Sequence, residues 1–547
     1  MPDLQERDFS ASRRARRRER QQRRRRQQRL FALGGAAVVT IAALAAWQLA
    51  GDDSTRAAPR QSSSSSSSST STSTTLPALA PPYSQAVKDE NAKPGTGEWR
   101  LTNDGAEHDI EGYLNVTSAQ RGEPVTLYAS TVAPNFTIDA YRMGWYQGLG
   151  GRKVWTSTAV AGRRQAAATF IAATNTYEAN WQPSTQFTVA ADWPDGSYLL
   201  KLTASTGQQR WVPLTVRDDT SRAAYVIENA VSSWQAYNRW GGCSLYDCHA
   251  GGKGDRSKMV SFDRPYDKTS DGSADFIGNE LPLIMRAEEA NFDVTYMTSI
   301  DLNERPALLR NHKAVISLGH DEYWSKDMFD GAEQARDAGV NLAFLGANAV
   351  YRQVRFEPTA IGADRHMINY RSTADPIRRT DPARTTVSFR ESPVNRPEAQ
   401  LIGEQYQCNP VRADGVVIEP TSWVFAGTGL TNGAHIEILV GSEYDQYIHG
   451  QGGPENIEIL AHSPVSCRGR AGFSDVTYYT APSGAGVFAT GTNYWVSKLN
   501  PPEFPQSPYN PIVVTITKNV LAAFGVGPAG QAHPSQPNWK GLPGTGG

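Results

Sequence analysis

From residue 221 onward, short apolar runs alternate with segments of helical period. AAYVIE leads to LPLIMRAEEA, FDVTYMT, KAVISL, MFDGAEQARDAG and VNLAFLG, with IEILVG and GVFATG further on. Brief apolar runs separated by amphipathic stretches predict an α/β domain over 218–530, with a mostly parallel sheet covered by helices on both faces. Residues 83–217 read differently. EPVTLYAST, FTIDAYRMGWY, TQFTVA and SYLLKLTAS alternate or run apolar over strand lengths, punctuated by Gly, Pro and Asp and without a useful helical period. They predict an all-β sandwich domain ahead of the α/β domain.

The first 82 residues carry a different message. Residues 30–51 (LFALGGAAVVTIAALAAWQLAG) hold no charge, and about 20 apolar residues span a bilayer core as a helix. Arginines precede this stretch and Asp52 and Asp53 follow it, so the positive-inside rule places residues 1–29 in the cytoplasm and the later domains outside. The expectation is a single-pass membrane protein. A cleaved secretory or twin-arginine export signal is the competing reading. Residues 52–82 include a Ser/Thr tract and prolines and read as a disordered tether, and 531–547 as a disordered tail.

Charge fits this division. Residues 1–30 hold twelve Arg against four acidic side chains, whereas the rest carries 42 basic against 51 acidic, a balance of −9. Beside a membrane span, topology and anionic lipid explain the arginine run more simply than nucleic acid does, and no nucleic-acid partner is expected. Four cysteines suit an oxidising compartment. The short loop CSLYDC favours a Cys243–Cys248 disulfide, which leaves Cys408 to pair with Cys467; a metal site or a reactive thiol is the rival reading.

In open α/β sheets, sites lie outside the carboxyl ends of the strands. NAVSSWQAYN follows AAYVIE, GHDEYW follows KAVISL, GANAVY follows VNLAFL, GSEYD follows IEILV and GTNYW follows GVFAT. Each delivers Tyr, Trp, Asn, His or a carboxylate to one edge. No G-x-S-x-G elbow, thiol triad, G-x-x-x-x-G-K-[ST] loop or H-E-x-x-H spacing appears. What remains is rich in oxygen: Tyr323, Tyr351 and Glu443, with His320, Asp321, Glu322 and Asp445 nearby. Phenolate and carboxylate are hard donors suited to ferric iron, which can polarise a carbonyl and acidify its water. The other readings are ordinary packing residues, or an aromatic surface that binds glycan.

WQAYNRWGGCSLY, SFDRPY, LPLIMRAEEANFDVTYMTSIDL, GHDEYWS, GVNLAFLGANAVYRQVRFE, GSEYDQ and FATGTNYW together resemble the large-subunit family of N,N-dimethylformamidase. FTIDAYRMGWYQGLGGRKV and WPDGSYLLKL extend the resemblance into the sandwich, and it covers about 94–525. It implies a sandwich beside a domain like the class I glutamine amidotransferases, without their catalytic cysteine. It also implies one iron held by two tyrosinates and one glutamate, and hydrolysis of a small amide. Carried across, Tyr323 is the first phenolate, Tyr351 the second (Tyr370 competes) and Glu443 the carboxylate (Glu437 competes). His320, Glu322 and Asn348 then serve catalysis, and Trp324, Asn238 and Asn493 line the pocket. Arg352 stands where an aromatic residue is expected. A second small subunit or a homo-oligomer is the implied assembly. The expectation is thus a membrane-anchored, iron-dependent amide hydrolase of unknown substrate. The alternative is a non-catalytic surface protein that binds glycan or cell-wall material.

Overall fold

The sandwich is built from the strands its alternation marked. The computed structural model describes residues 82–248, 255–502, 504 and 508–546. A three-stranded sheet, Ile110–Leu114, Pro124–Thr131 and Thr185–Thr188, is antiparallel throughout. A six-stranded sheet contains Gly196–Ala204 flanked by Asn135–Met143 and Gln209–Val216. Ile110, Leu127, Ile138, Leu200 and Leu202 are fully buried in the resulting core. Removal of such side chains from water stabilises the fold by roughly 1.5–3 kcal/mol each.

A seven-stranded sheet organises the rest. We label its strands in chain order: β1 Tyr225–Asn229, β2 Val294–Thr298, β3 Ala314–Gly319, β4 Asn341–Gly346, β5 Glu458–Cys467, β6 Arg470–Thr480 and β7 Gly486–Ala489. Their spatial order is β2-β1-β3-β4-β7-β6-β5. The pairs from β2 to β7 are parallel, and β6 is antiparallel to both β7 and β5. Lys326–Asp337 starts on a capping box at Ser325 and buries Met328, Phe329 and Ala332 in this core. Hydroxyl-to-backbone bonds of that kind satisfy amides a helix start leaves open.

Three expectations are corrected. The described residues are mostly β, sandwich-like, in six sheets. The helices are few and short, so the α/β class and the glutamine amidotransferase likeness fall. The reason lies downstream of β4, where bulged strands such as QYQCNPVRADGV form a hairpin, Gln405–Val416 with His435–Gln446, that shows no clean period in sequence. Second, the longest helix among the described residues, Pro511–Phe524, has 14 residues, short of the about 20 a bilayer demands. Among these residues none is long and apolar enough to cross a membrane, and the single-pass placement is withdrawn. Residues 1–81, with the arginine tail, the 30–51 span and nearly all of the tether, lie outside the described residues. Third, the segment read as a disordered tail is anchored. Trp539 is buried and stacks on His449 at 4.4 Å, and the Thr545 carbonyl accepts the His449 amide at 2.7 Å.

Both disulfides form as expected, Cys243–Cys248 and Cys408–Cys467. The described residues make one compact unit.

Candidate functional site

The site begins where β3 ends. Gly319 sits at φ +59°, and a Cβ there would lie 2.4 Å from the Asn279 carbonyl oxygen. The turn therefore requires glycine. It redirects the chain into the short strand Tyr323–Ser325, which pairs with Arg352–Glu357. Ser232 Oγ donates to the Tyr323 carbonyl at 2.7 Å and Ser233 Oγ accepts the Tyr323 amide at 3.2 Å, which ties this strand to helix Val231–Tyr237. Gly319→Ala is expected to cost about 2 kcal/mol or more, measured by urea unfolding, because backbone rather than a yielding side chain blocks the new methyl.

The residues that converge come from three segments. Tyr237 ends the helix after β1, Tyr246 sits inside the Cys243–Cys248 loop, and Glu322 follows the Gly319 turn. The two phenols donate to Glu322 Oε2 at 2.6 and 2.5 Å, and their own oxygens lie 2.5 Å apart. Tyr323 donates to the Tyr246 hydroxyl at 2.8 Å, and Arg371 Nη2 donates to Tyr323 at 2.5 Å. Burial first, then the Glu322 charge, push both the Tyr237 and Tyr246 phenols well above their ordinary range, so each keeps its proton. Arg264, fully buried, holds the loop between them: it donates to the carbonyls of Asn238, Trp240 and Cys243 and to Gln235 Oε1 at 3.0–3.2 Å.

His320 faces the same cluster. Its Nε2 lies 3.4 Å from the Tyr237 hydroxyl, 3.3 Å from Glu443 Oε2 and 3.6 Å from Glu322 Oε2. Burial opposes charge on the imidazole, but Glu443 and then Glu322 overcome it and lift His320 to about 9. Burial likewise opposes charge on Glu443. The charge of His320 and hydrogen bonds from His320, Asn409 and Asn348 outweigh it and hold the carboxyl below its ordinary value. Asn348 adopts φ +60°, its amide bonded to Asp445 at 2.8 and 3.0 Å, and its buried Oδ1 has no hydrogen-bond partner.

The set read from the sequence divides. Tyr323 belongs to the cluster through its hydroxyl, but Tyr351 packs between the guanidiniums of Arg352 and Arg390, at 4.5 and 5.1 Å, and beside Tyr406. Glu443 reaches the cluster through His320 rather than through a tyrosine. Trp324 is buried in the core beside Phe344, so it does not line a pocket. The Asn238 side chain is consumed by Gln235, Pro265, Trp240 and Asp267, and Asn493 Oδ1 accepts the Ala347 amide at 2.8 Å. Both are loop fasteners. Asp321 turns away to Ser317 and the buried Glu228, and burial pushes both carboxyls up. Tyr237, Tyr246 and Arg371 were missed. WQAYN was marked as a strand-end loop, and a tyrosine enclosed by two cysteines was the remaining signal.

Among the described residues no three His, Cys, Asp or Glu side chains are grouped to hold a metal. The converging donors are instead two phenols and one carboxylate.

Comparison with known proteins gives the site a context. The family model for the N,N-dimethylformamidase beta subunit-like C-terminal region matches residues 137–509. The N,N-dimethylformamidase beta subunit of Alcaligenes sp is 24% identical over 329 residues, 52% of this chain and 42% of that protein. The chain thus spans less than half the length of this relative. Among solved structures, an uncharacterized protein from Bacillus anthracis str. Ames is 11% identical, covering 19% of this chain and 78% of that one, with a TM-score of 0.12. A Paenibacillus sp. cycloisomaltooligosaccharide glucanotransferase complexed with cycloisomaltoheptaose is 10% identical, covering 46% and 57%, with a TM-score of 0.16. Neither structural likeness carries an argument.

Proposed function

The chain belongs to the N,N-dimethylformamidase beta subunit-like family, and on that premise we propose that it hydrolyses the C–N bond of a small non-peptide amide at a centre of Tyr237, Tyr246 and Glu322 that holds ferric iron. The observation that carries this reading is the meeting of three oxygen donors within 2.5–2.6 Å of one another. Their composition, two tyrosines and one glutamate, is the set the sequence resemblance implied, at other positions. The donors are hard, and phenols held protonated by burial ionise only beside a strong Lewis acid. When bound, ferric iron would supply the polarisation of an amide carbonyl and the acidification of a water.

The chain's own residues supply the rest. His320, its Nε2 directed at Tyr237 and Glu443, takes a proton from the attacking water as neutral imidazole and then delivers it to the departing amine. General acid–base transfer of this kind contributes about 10²–10⁴-fold. Glu443 stabilises the imidazolium that exists between the two transfers. Asn348 Oδ1, buried and unpartnered, is an acceptor for an amide N–H of the substrate. The chain of donors from Arg371 through Tyr323 to Tyr246 orients the phenol towards Glu322. The relative's name, a beta subunit, supports an assembly with a further subunit.

The test is product counting. The full chain loaded with ferric iron is offered a panel of small amides, and acid and amine are quantified separately. Equal release of the two, lowered about 10²–10⁴-fold in His320→Ala, is expected. Iron-loaded, folded protein that releases neither product from any amide contradicts the proposal.

A further inference from the structure

Glu443 faces two partners, one at each carboxylate oxygen. Its Oε2 lies 3.3 Å from His320 Nε2, and its Oε1 accepts a hydrogen bond from Asn409 Nδ2 at 2.7 Å. The side chain is 1% exposed, so protein groups rather than water set the direction of the carboxyl plane. A short bond at one oxygen fixes that plane, and with it where the other oxygen points.

Asn409 is in turn held against rotation. Its Oδ1 accepts Arg468 Nη2 at 3.3 Å, and its backbone carbonyl accepts Arg468 Nε at 2.8 Å. A guanidinium offers donors only and an ionised carboxylate acceptors only. Between the two, the amide has a single satisfied orientation, oxygen to Arg468 and nitrogen to Glu443. The reverse would set donor on donor and acceptor on acceptor. Asn409 lies in the strand Gln405–Val416, and Arg468 in the turn between β5 and β6. The Cys408–Cys467 disulfide joins the residue before Asn409 to the residue before Arg468, which pins the two segments together where this pair meets. A chain of contacts therefore runs from an exposed arginine through a half-buried amide to a buried carboxylate and the imidazole.

Resting on the amide-hydrolase reading above, we infer that Asn409 is a positioning residue for the proton transfers at His320, fastened by Arg468 and the Cys408–Cys467 disulfide. It acts through Glu443. While His320 carries the water's proton, the imidazolium needs Glu443 Oε2 in place. A carboxylate freed at Oε1 turns and leaves that charge without its partner. Glu443 is not in the proposed iron set, so kcat falls while KM and iron content hold. Periodicity carries no signal for this residue, because the strand pairing slips between Cys408 and Val411.

Steady-state kinetics on the iron-loaded full chain test this, with formamide, N-methylformamide and N-methylacetamide as substrates. Asn409→Ala is expected to lower kcat about 10–100-fold, with KM and iron content unchanged. Added to Glu443→Gln, the same change should cost less than about two-fold more, because a residue that acts only through Glu443 then has nothing to hold. Arg468→Leu, at an exposed position, should lower kcat in the same pattern and decides the matter if Asn409→Ala does not fold. Full kcat in folded Asn409→Ala overturns the inference, as does a rise in KM or a loss of iron in step with kcat. A further loss of full size on top of Glu443→Gln overturns it too. So does full kcat in Arg468→Leu where Asn409→Ala is unfolded. A wild type that cleaves none of the three amides overturns the hydrolase reading and this role with it, whereas an active wild type confines any failure to Asn409.

Discussion

Glu322→Gln is expected to reduce amide hydrolysis by about 10³-fold or more and to strip the centre of iron. Glu322 is the acceptor on which Tyr237 and Tyr246 both converge, so the change removes the one anionic donor of the set and its hold on two phenols. Loss of a residue that merely supports a ligand costs about 10–100-fold in metal affinity or activity, and a ligand itself costs more. Tyr246→Phe and Tyr237→Phe should behave alike. Glu443→Gln is the informative contrast: it touches His320 and Asn409 rather than the phenols. Iron should therefore remain while acid–base transfer falls. Metal content and kcat/KM measured together separate the two classes. Full iron in Glu322→Gln with none in Glu443→Gln would return the centre to the positions first read from the sequence.

The second large effect concerns stability. Arg142→Leu is expected to cost about 3–5 kcal/mol, because it leaves a buried carboxylate without its partner. Arg142, in strand Asn135–Met143 of the sandwich, grips Glu288 in helix Leu281–Glu289 at 2.7 and 3.0 Å, and both side chains are buried. Burial opposes the guanidinium's charge, but Glu288 outweighs it and holds the group up. Tyr296 and Asn91 also donate to Glu288, at 2.7 and 2.9 Å, and would be left around an unpaired charge. Replacing both partners by leucine should recover most of the loss, since an apolar pair avoids the desolvation of two ions. Denaturant unfolding of the single and double variants decides it. A single-variant cost under about 1 kcal/mol would mean that water reaches this pair.

How far the sequence could be read follows from the physics of each segment. The sandwich strands were legible where buried and less buried side chains alternate, as Phe136, Ile138 and Ala140 do with Thr137 and Asp139. The runs that became β1 to β4 were found because they are apolar on both faces. Their loops carry the side chains that meet, since β1 leads to Tyr237 and β3 to His320 and Glu322. The reading and the structure differ in which of several adjacent side chains meet. In an extended stretch residues two apart share a side, so His320 and Glu322 point together while Asp321 turns to Ser317. Tyr246 was harder to find. It reaches the site through a loop shaped by a disulfide and by the buried Arg264, and no periodicity records such a contact. The mostly β character was missed where bulges and Pro410 interrupt Gln405–Val416.

The most direct measurement of the account is a spectroscopic titration of ferric iron into the metal-free full chain. Phenolate bound to ferric iron gives a visible charge-transfer band. The band is predicted to saturate at one iron per chain in the wild type, to persist in Tyr351→Phe, and to be lost in both Tyr237→Phe and Tyr246→Phe. A band unaffected in Tyr237→Phe and Tyr246→Phe but lost in Tyr351→Phe, or no band at all with folded wild type, would contradict the assignment of the centre.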